Sequence, residues 1–117
     1  MSVTTQVPRE RLAAYFDDYS RRFLQTGSPS RVDVEVLGDD LGDQPLVQGA
    51  RLLGITYDVH DHALELQLDT TTHRIEAPKE VWTVEEQGGL ISAIEVVCTD
   101  GSRQVVSIKP GELSKTE

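Results

Sequence analysis

The side chains with the greatest chemical potential cluster in one short stretch, Asp58-Val59-His60-Asp61-His62. On an extended strand residues two apart share a face, so His60 and His62 would there offer two imidazoles to one zinc or nickel ion. A third ligand is needed, and His73 is the only other histidine in the chain. The stretch also reads as the connection between two strands, where polar residues need no ligand to account for them. His60, His62 and His73 are therefore the candidate metal or pocket residues, while the expectation is no metal and no cofactor. Beside Arg74 and Glu76, His73 has no acid or nucleophile placed for general-base work, and a hydrogen-bonded role in the fold is expected of it.

Other reactive residue types are poorly placed for chemistry. Cys98 is the single cysteine, which excludes an internal disulfide and a multi-cysteine zinc site. It falls within an apolar run with no neighbouring cation, the setting of an inert buried thiol. The acidic stretch Gly38-Asp39-Asp40-Leu41-Gly42-Asp43 lacks the ligand offsets and closing glutamate of a calcium loop, and reads as a solvated turn. Gly88-Gly89 has no phosphate-binding fingerprint around it. No serine sits in a nucleophile-elbow context. No catalytic residue is assigned, and the reading leans away from an enzyme.

Composition narrows the class further. The 117 residues suit one domain spanning residues 1–117. Charged residues at 26% and hydrophobic ones at 38% fall in the globular range. A net charge of −9 argues against nucleic acid and against an anionic membrane surface, both of which select lysine and arginine. No run approaches the ~20 apolar residues of a membrane span. The N-terminus lacks a basic head and apolar core, so a cytoplasmic protein is expected.

The elements that must position these residues begin with a helix. Pro8 suits a first turn, whose N–H groups go unpaired in any case. Leu12, Tyr15, Phe16, Tyr19 and Phe23 then form one apolar stripe over about four turns. Four of the chain's six aromatics lie on it. Gly27, followed by Ser28 and Pro29, ends the helix.

From Arg31 the period becomes 2, with Val32, Val34 and Val36 facing one way. Leu46-Val47, Leu53 to Val59, Leu64 to Leu68, His73 to Ala77 and Val81 to Val84 are further short strands. Pro78 belongs at an edge or a bend. The last third holds the strongest local signal. Leu90 to Cys98 and Arg103 to Ile108 flank Asp100-Gly101, which predicts a hairpin with a two-residue turn. In its first arm Leu90, Ile94, Val96 and Cys98 share one face and Ile91, Ala93 and Val97 the other, so a central strand covered on both sides is expected. Residues 1–6 and 111–117 are expected to be disordered tails. The fold class is α+β: one N-terminal amphipathic helix packed on a curled or barrel-like, mainly antiparallel sheet of six or seven short strands.

These motifs taken in order resemble a bacterial family of small single-domain proteins of unknown function. The resemblance covers most of residues 7–108. It rests on Pro8, Phe16 and Tyr19-Ser20, on Val34 to Gly42, and on Leu53-Gly54-Ile55. It continues through Tyr57-Asp58-x-x-Asp61 and His73-x-Ile75-x-x-Pro78-x-x-Val81. Gly88-Gly89-Leu90, Ile94-Glu95-Val96-Val97 and Asp100-Gly101-x-Arg103-Gln104-Val105-Val106 complete it. It implies a single domain and brings no activity, cofactor or catalytic residue. The expected function is a non-enzymatic small binding or self-association domain, a homo-oligomer formed through an edge strand. The alternative is a small-molecule or metal-binding protein with a pocket near His60, His62 and His73.

Overall fold

The aromatic stripe of the N-terminal helix is buried. In the computed structural model, which describes residues 2–24, 30–38 and 42–109, Pro8 stands at the head of a 3₁₀ turn over Arg9–Arg11. Helix α1, Leu12–Tyr19, follows and widens into a π turn at Ser20–Leu24. Leu12, Phe16 and Tyr19 are buried and Tyr15 and Phe23 half-buried. Spacing at i, i+4 and i+7 sets the two buried rings and the leucine on one side, which is the side a sheet can cover. The predicted stop at Gly27 lies outside the described residues.

Eight strands form one sheet, all pairs antiparallel, in the order β1-β6-β7-β8-β2-β3-β4-β5. They are β1 (Val3–Gln6), β2 (Ser30–Gly38), β3 (Gly42–Asp58), β4 (Ala63–Leu68), β5 (Thr72–Glu76), β6 (Pro78–Glu85), β7 (Ile91–Cys98) and β8 (Arg103–Lys109). The chain is thus α+β as expected, but the sheet has eight strands, not six or seven, and it is open where a barrel would close. Two differences alter the tally, one by merging expected segments and one by adding a strand. The segments around Leu46 and Leu53 are one strand, β3, which bends at an irregularity near Gly49 and pairs first with β2 and then with β4. The supposed N-terminal tail contains β1, held along β6 from Val3–Glu85 to Gln6–Trp82. The expected tail at 111–117 and the centre of the acidic stretch, residues 39–41, lie outside the described residues.

The sheet curls strongly without closing. His73 on β5 donates from Nε2 to Oε1 of Gln104 on β8 at 2.9 Å, although β2, β3 and β4 lie between those strands. Ala77 makes the corner between β5 and β6 at φ 49°, and its carbonyl accepts from the Thr99 amide at 3.2 Å. Pro78 opens β6 just past that bend, where its missing N–H costs least. The hollow is filled by α1 together with Val32, Val34, Leu52, Ile55 and Ile94.

The closing hairpin forms between β7 and β8 with a longer loop than predicted. Gly101 at φ 90° donates to the Cys98 carbonyl, and the Cys98 amide donates to the Ser102 carbonyl. This is the arrangement of a tight turn followed by a left-handed glycine, which adds a residue to the two-residue form. In β7 the buried set is Ile91, Ile94, Val96 and Cys98, so Ile91 takes the place expected of Leu90. A bulge causes the exchange: Val84 pairs with Ala93 but Glu85 pairs with Ile91, which leaves Ser92 as the extra residue. β7 is central but not covered on both sides. Ala93, Glu95 and Val97 point away from α1 and are only half-buried.

Candidate functional site

The three histidines occupy different local structures. Asp58 ends β3 and turns the chain by accepting the amides of His60 and Asp61 on Oδ1, at 2.9 and 3.1 Å. Those amides, Asp61 first, hold its carboxyl below the usual aspartate range. His60 is exposed at this turn. His62 closes it in a left-handed conformation, φ 53°, with its ring edge-on to Tyr57 and Nδ1 hydrogen-bonded to the Tyr57 hydroxyl. His60 and His62 therefore lie in a turn and do not share the face of a strand.

His73 is farther away. It pairs with Leu66, three residues along the β4–β5 ladder from the Ala63–Glu76 pair that follows His62. At about 3.4 Å per residue, His62 and His73 are separated by roughly 14 Å of strand. Two nitrogens on one zinc lie no more than about 4 Å apart. The structure thus ties His62 to Tyr57 and His73 to Gln104 and does not bring the three together. Among the described residues no group of three or more His, Cys, Asp or Glu is placed to hold a metal ion.

Two polar clusters were not legible in the sequence. Arg74 on β5 bonds Glu65, Glu76 at 2.6 Å and Asp61 at 3.1 Å. Hydrogen bonding to Glu76, then to Asp61 and Glu65, raises its pKa and keeps the guanidinium charged. The register that sets Glu65 opposite Arg74 is the signal that a strand-pairing argument could have used. The second cluster spans 70 residues of sequence. The Tyr15 hydroxyl donates to Glu85 and lies 3.1 Å from the Thr83 hydroxyl. Burial foremost, and then the bond to Glu85, push Tyr15 up to about 12. The arrangement anchors α1 to β6.

A largely apolar hollow of about 210 Å³ lies between Tyr19 and the start of β7, lined by Tyr19, Leu90, Ile91 and Ile108 with Ser30, Glu86 and Ser92. The Tyr19 hydroxyl there accepts the Ile91 amide at 3.2 Å, and burial raises its pKa. Cys98 is buried and its thiol is pushed up by that burial, against the lowering effect of Ser102. It lacks the electropositive setting of a reactive thiolate. No nucleophile, base and orienting group converge on one point among these residues.

An uncharacterised protein of the bacterium Aquifex aeolicus (strain VF5) is 39% identical over 108 residues, covering 92% of this chain and 93% of its own. No solved structure matches significantly. The model of a family described as "Family of unknown function (DUF5335)" matches residues 3–116. With its helix, its single sheet and nearly its whole length inside that match, the chain belongs to this family of unknown function.

Proposed function

We propose that the chain is a small non-enzymatic binding domain of the cytoplasm that associates with itself by pairing edge strands. The observation that carries this reading is β1. Val3–Gln6 is exposed at every position and ends the sheet order, with β6 on one side and, among the described residues, no strand on the other. The segment Val-Thr-Thr-Gln has no charge and no proline, the devices by which exposed edges are usually blunted. The opposite edge, β5, carries such a device, since Arg74 and its three carboxylates crowd it. An antiparallel pair of β1 strands about a two-fold axis extends both sheets without moving either core.

Light scattering on the purified chain tests this. The expected mass is twice the 13.0 kDa monomer at micromolar concentration. A Val3→Lys/Thr5→Lys variant places like charges across the pairing and returns the monomer. A monomeric parent chain over the micromolar range overturns the reading.

A further inference from the structure

We propose that the outer face of β6, β7, β8 and β2 is a docking surface for a protein or peptide partner that carries an apolar stripe flanked by lysine or arginine. Strand register defines the face. Val84 lies beside Ala93, and Trp82, Glu95, Val105 and Glu35 lie side by side across the four strands. Glu80, Val97, Arg103 and Leu37 form the next row. All of this lies on the side opposite α1, since the alternate row Thr83–Ile94–Val106–Val34 is the one buried in the core.

The residue types are unusual for a wetted sheet face. Trp82, Val84, Ala93, Val97 and Val105 are half-buried only by one another and their neighbours. A solvent-facing sheet surface normally alternates to polar side chains. Here it holds β-branched residues and the chain's one tryptophan, and aromatic residues are enriched in protein interfaces.

Charge selects the occupant. Arg103 is committed to Glu95 at 3.0 Å, and Lys109 to Asp33 at 3.8 Å. Glu35 and Glu80 have no cationic partner among the described residues; Glu80 accepts the Trp82 indole N–H at 3.1 Å. The strip is therefore apolar with the carboxylates of Glu35 and Glu80 along its border, on a chain of net charge −9; Arg31, beside Lys109 at one end, is turned to the Gly49 carbonyl at 2.9 Å. A second copy would bring the same carboxylates against these, whereas lysine or arginine beside an apolar stripe would complement them. Size points the same way. Four strands by three rows give a strip about 14 Å on each side, far below the roughly 800 Å² per partner of a stable dimer.

Trp82, as the sole tryptophan, reports on its own surface. The probe is a twelve-residue peptide alternating lysine with leucine, with a glutamate–leucine peptide as control. The lysine peptide is expected to shift Trp82 emission to the blue and to saturate. Its affinity falls about tenfold between low and high salt, because the border charges are exposed and screened. Val105→Lys abolishes the response while far-ultraviolet circular dichroism and melting temperature stay those of the parent, and Glu35→Gln/Glu80→Gln weakens it at low salt. The Val3→Lys/Thr5→Lys variant responds as the parent does, which separates this surface from the β1 edge. Emission unmoved by millimolar lysine peptide overturns the proposal, as does an equal response to the glutamate peptide. An emission that changes on dilution without peptide in the Val3→Lys/Thr5→Lys variant overturns it in favour of a second copy.

Discussion

The side chain of Ser20 serves both backbone groups of Ile55. Its hydroxyl donates to the Ile55 carbonyl at 2.9 Å and accepts from the Ile55 amide at 3.0 Å. The end of the helix is thereby fastened to the middle of β3 at the point where the helix has widened into its π turn. A single hydroxyl does this because it holds one donor and two acceptor sites.

Ser20→Ala removes both bonds and leaves a buried amide and carbonyl without partners. The expected loss is about 1–3 kcal/mol, the usual penalty for an orphaned polar group. Urea unfolding of the parent and variant measures it. An unchanged midpoint would mean that water satisfies Ile55 in place of serine.

Tyr15 gives a stability change at high pH. Its pKa rises from the ordinary 10.0 to about 12 on folding, because burial and the Glu85 carboxylate oppose the phenolate. The folded chain then binds more protons than the unfolded chain between those values, so stability falls as pH rises through that window. Below it the contribution is fully present. Tyr15→Phe is expected to flatten the fall, and spectrophotometric titration of the tyrosines in parent and variant checks the assignment.

The corner at Ala77 is costly for its residue type. At φ 49° its Cβ sits where L side chains are crowded, and its amide donates to the His62 carbonyl at 3.0 Å. Ala77→Gly keeps that bond and relieves the crowding, so thermal unfolding should show a gain of roughly 1 kcal/mol. A loss would show that the chain bends there at no steric cost.

Zinc should have little to bind. With His62 held by Tyr57 and His73 by Gln104, micromolar zinc is expected to leave the melting temperature where it was. A saturable rise that disappears in His62→Ala and His73→Ala would show that the imidazoles converge.

The helix and the closing hairpin were legible in the sequence because their signals are local. Leu12, Phe16 and Tyr19 repeat at helical spacing, and Asp100-Gly101 stands between two β-branched runs. What escaped depends on distant partners. Val-Thr-Thr-Gln at residues 3–6 becomes a strand because β6 lies beside it, about 80 residues along the chain. The exchange of Leu90 for Ile91 comes from a bulge set by pairing with β6, and period-2 counting assumes no bulge. The cover expected on the second face of β7 follows from its apolar residues alone, yet the described residues contain one α-helix, and it lies on one side. The histidines could be named but not located, since only tertiary structure gives His73 its glutamine on β8.

The pairing of β2 with β8 has a consequence for how the molecule is made. Strands β2 to β5 form one run of hairpins and β6 to β8 another, and the seam between the runs joins the first long strand to the last. A ribosome must therefore release the chain through β8 before the seam can be sewn, and until then the flank of β2 stays open to strangers.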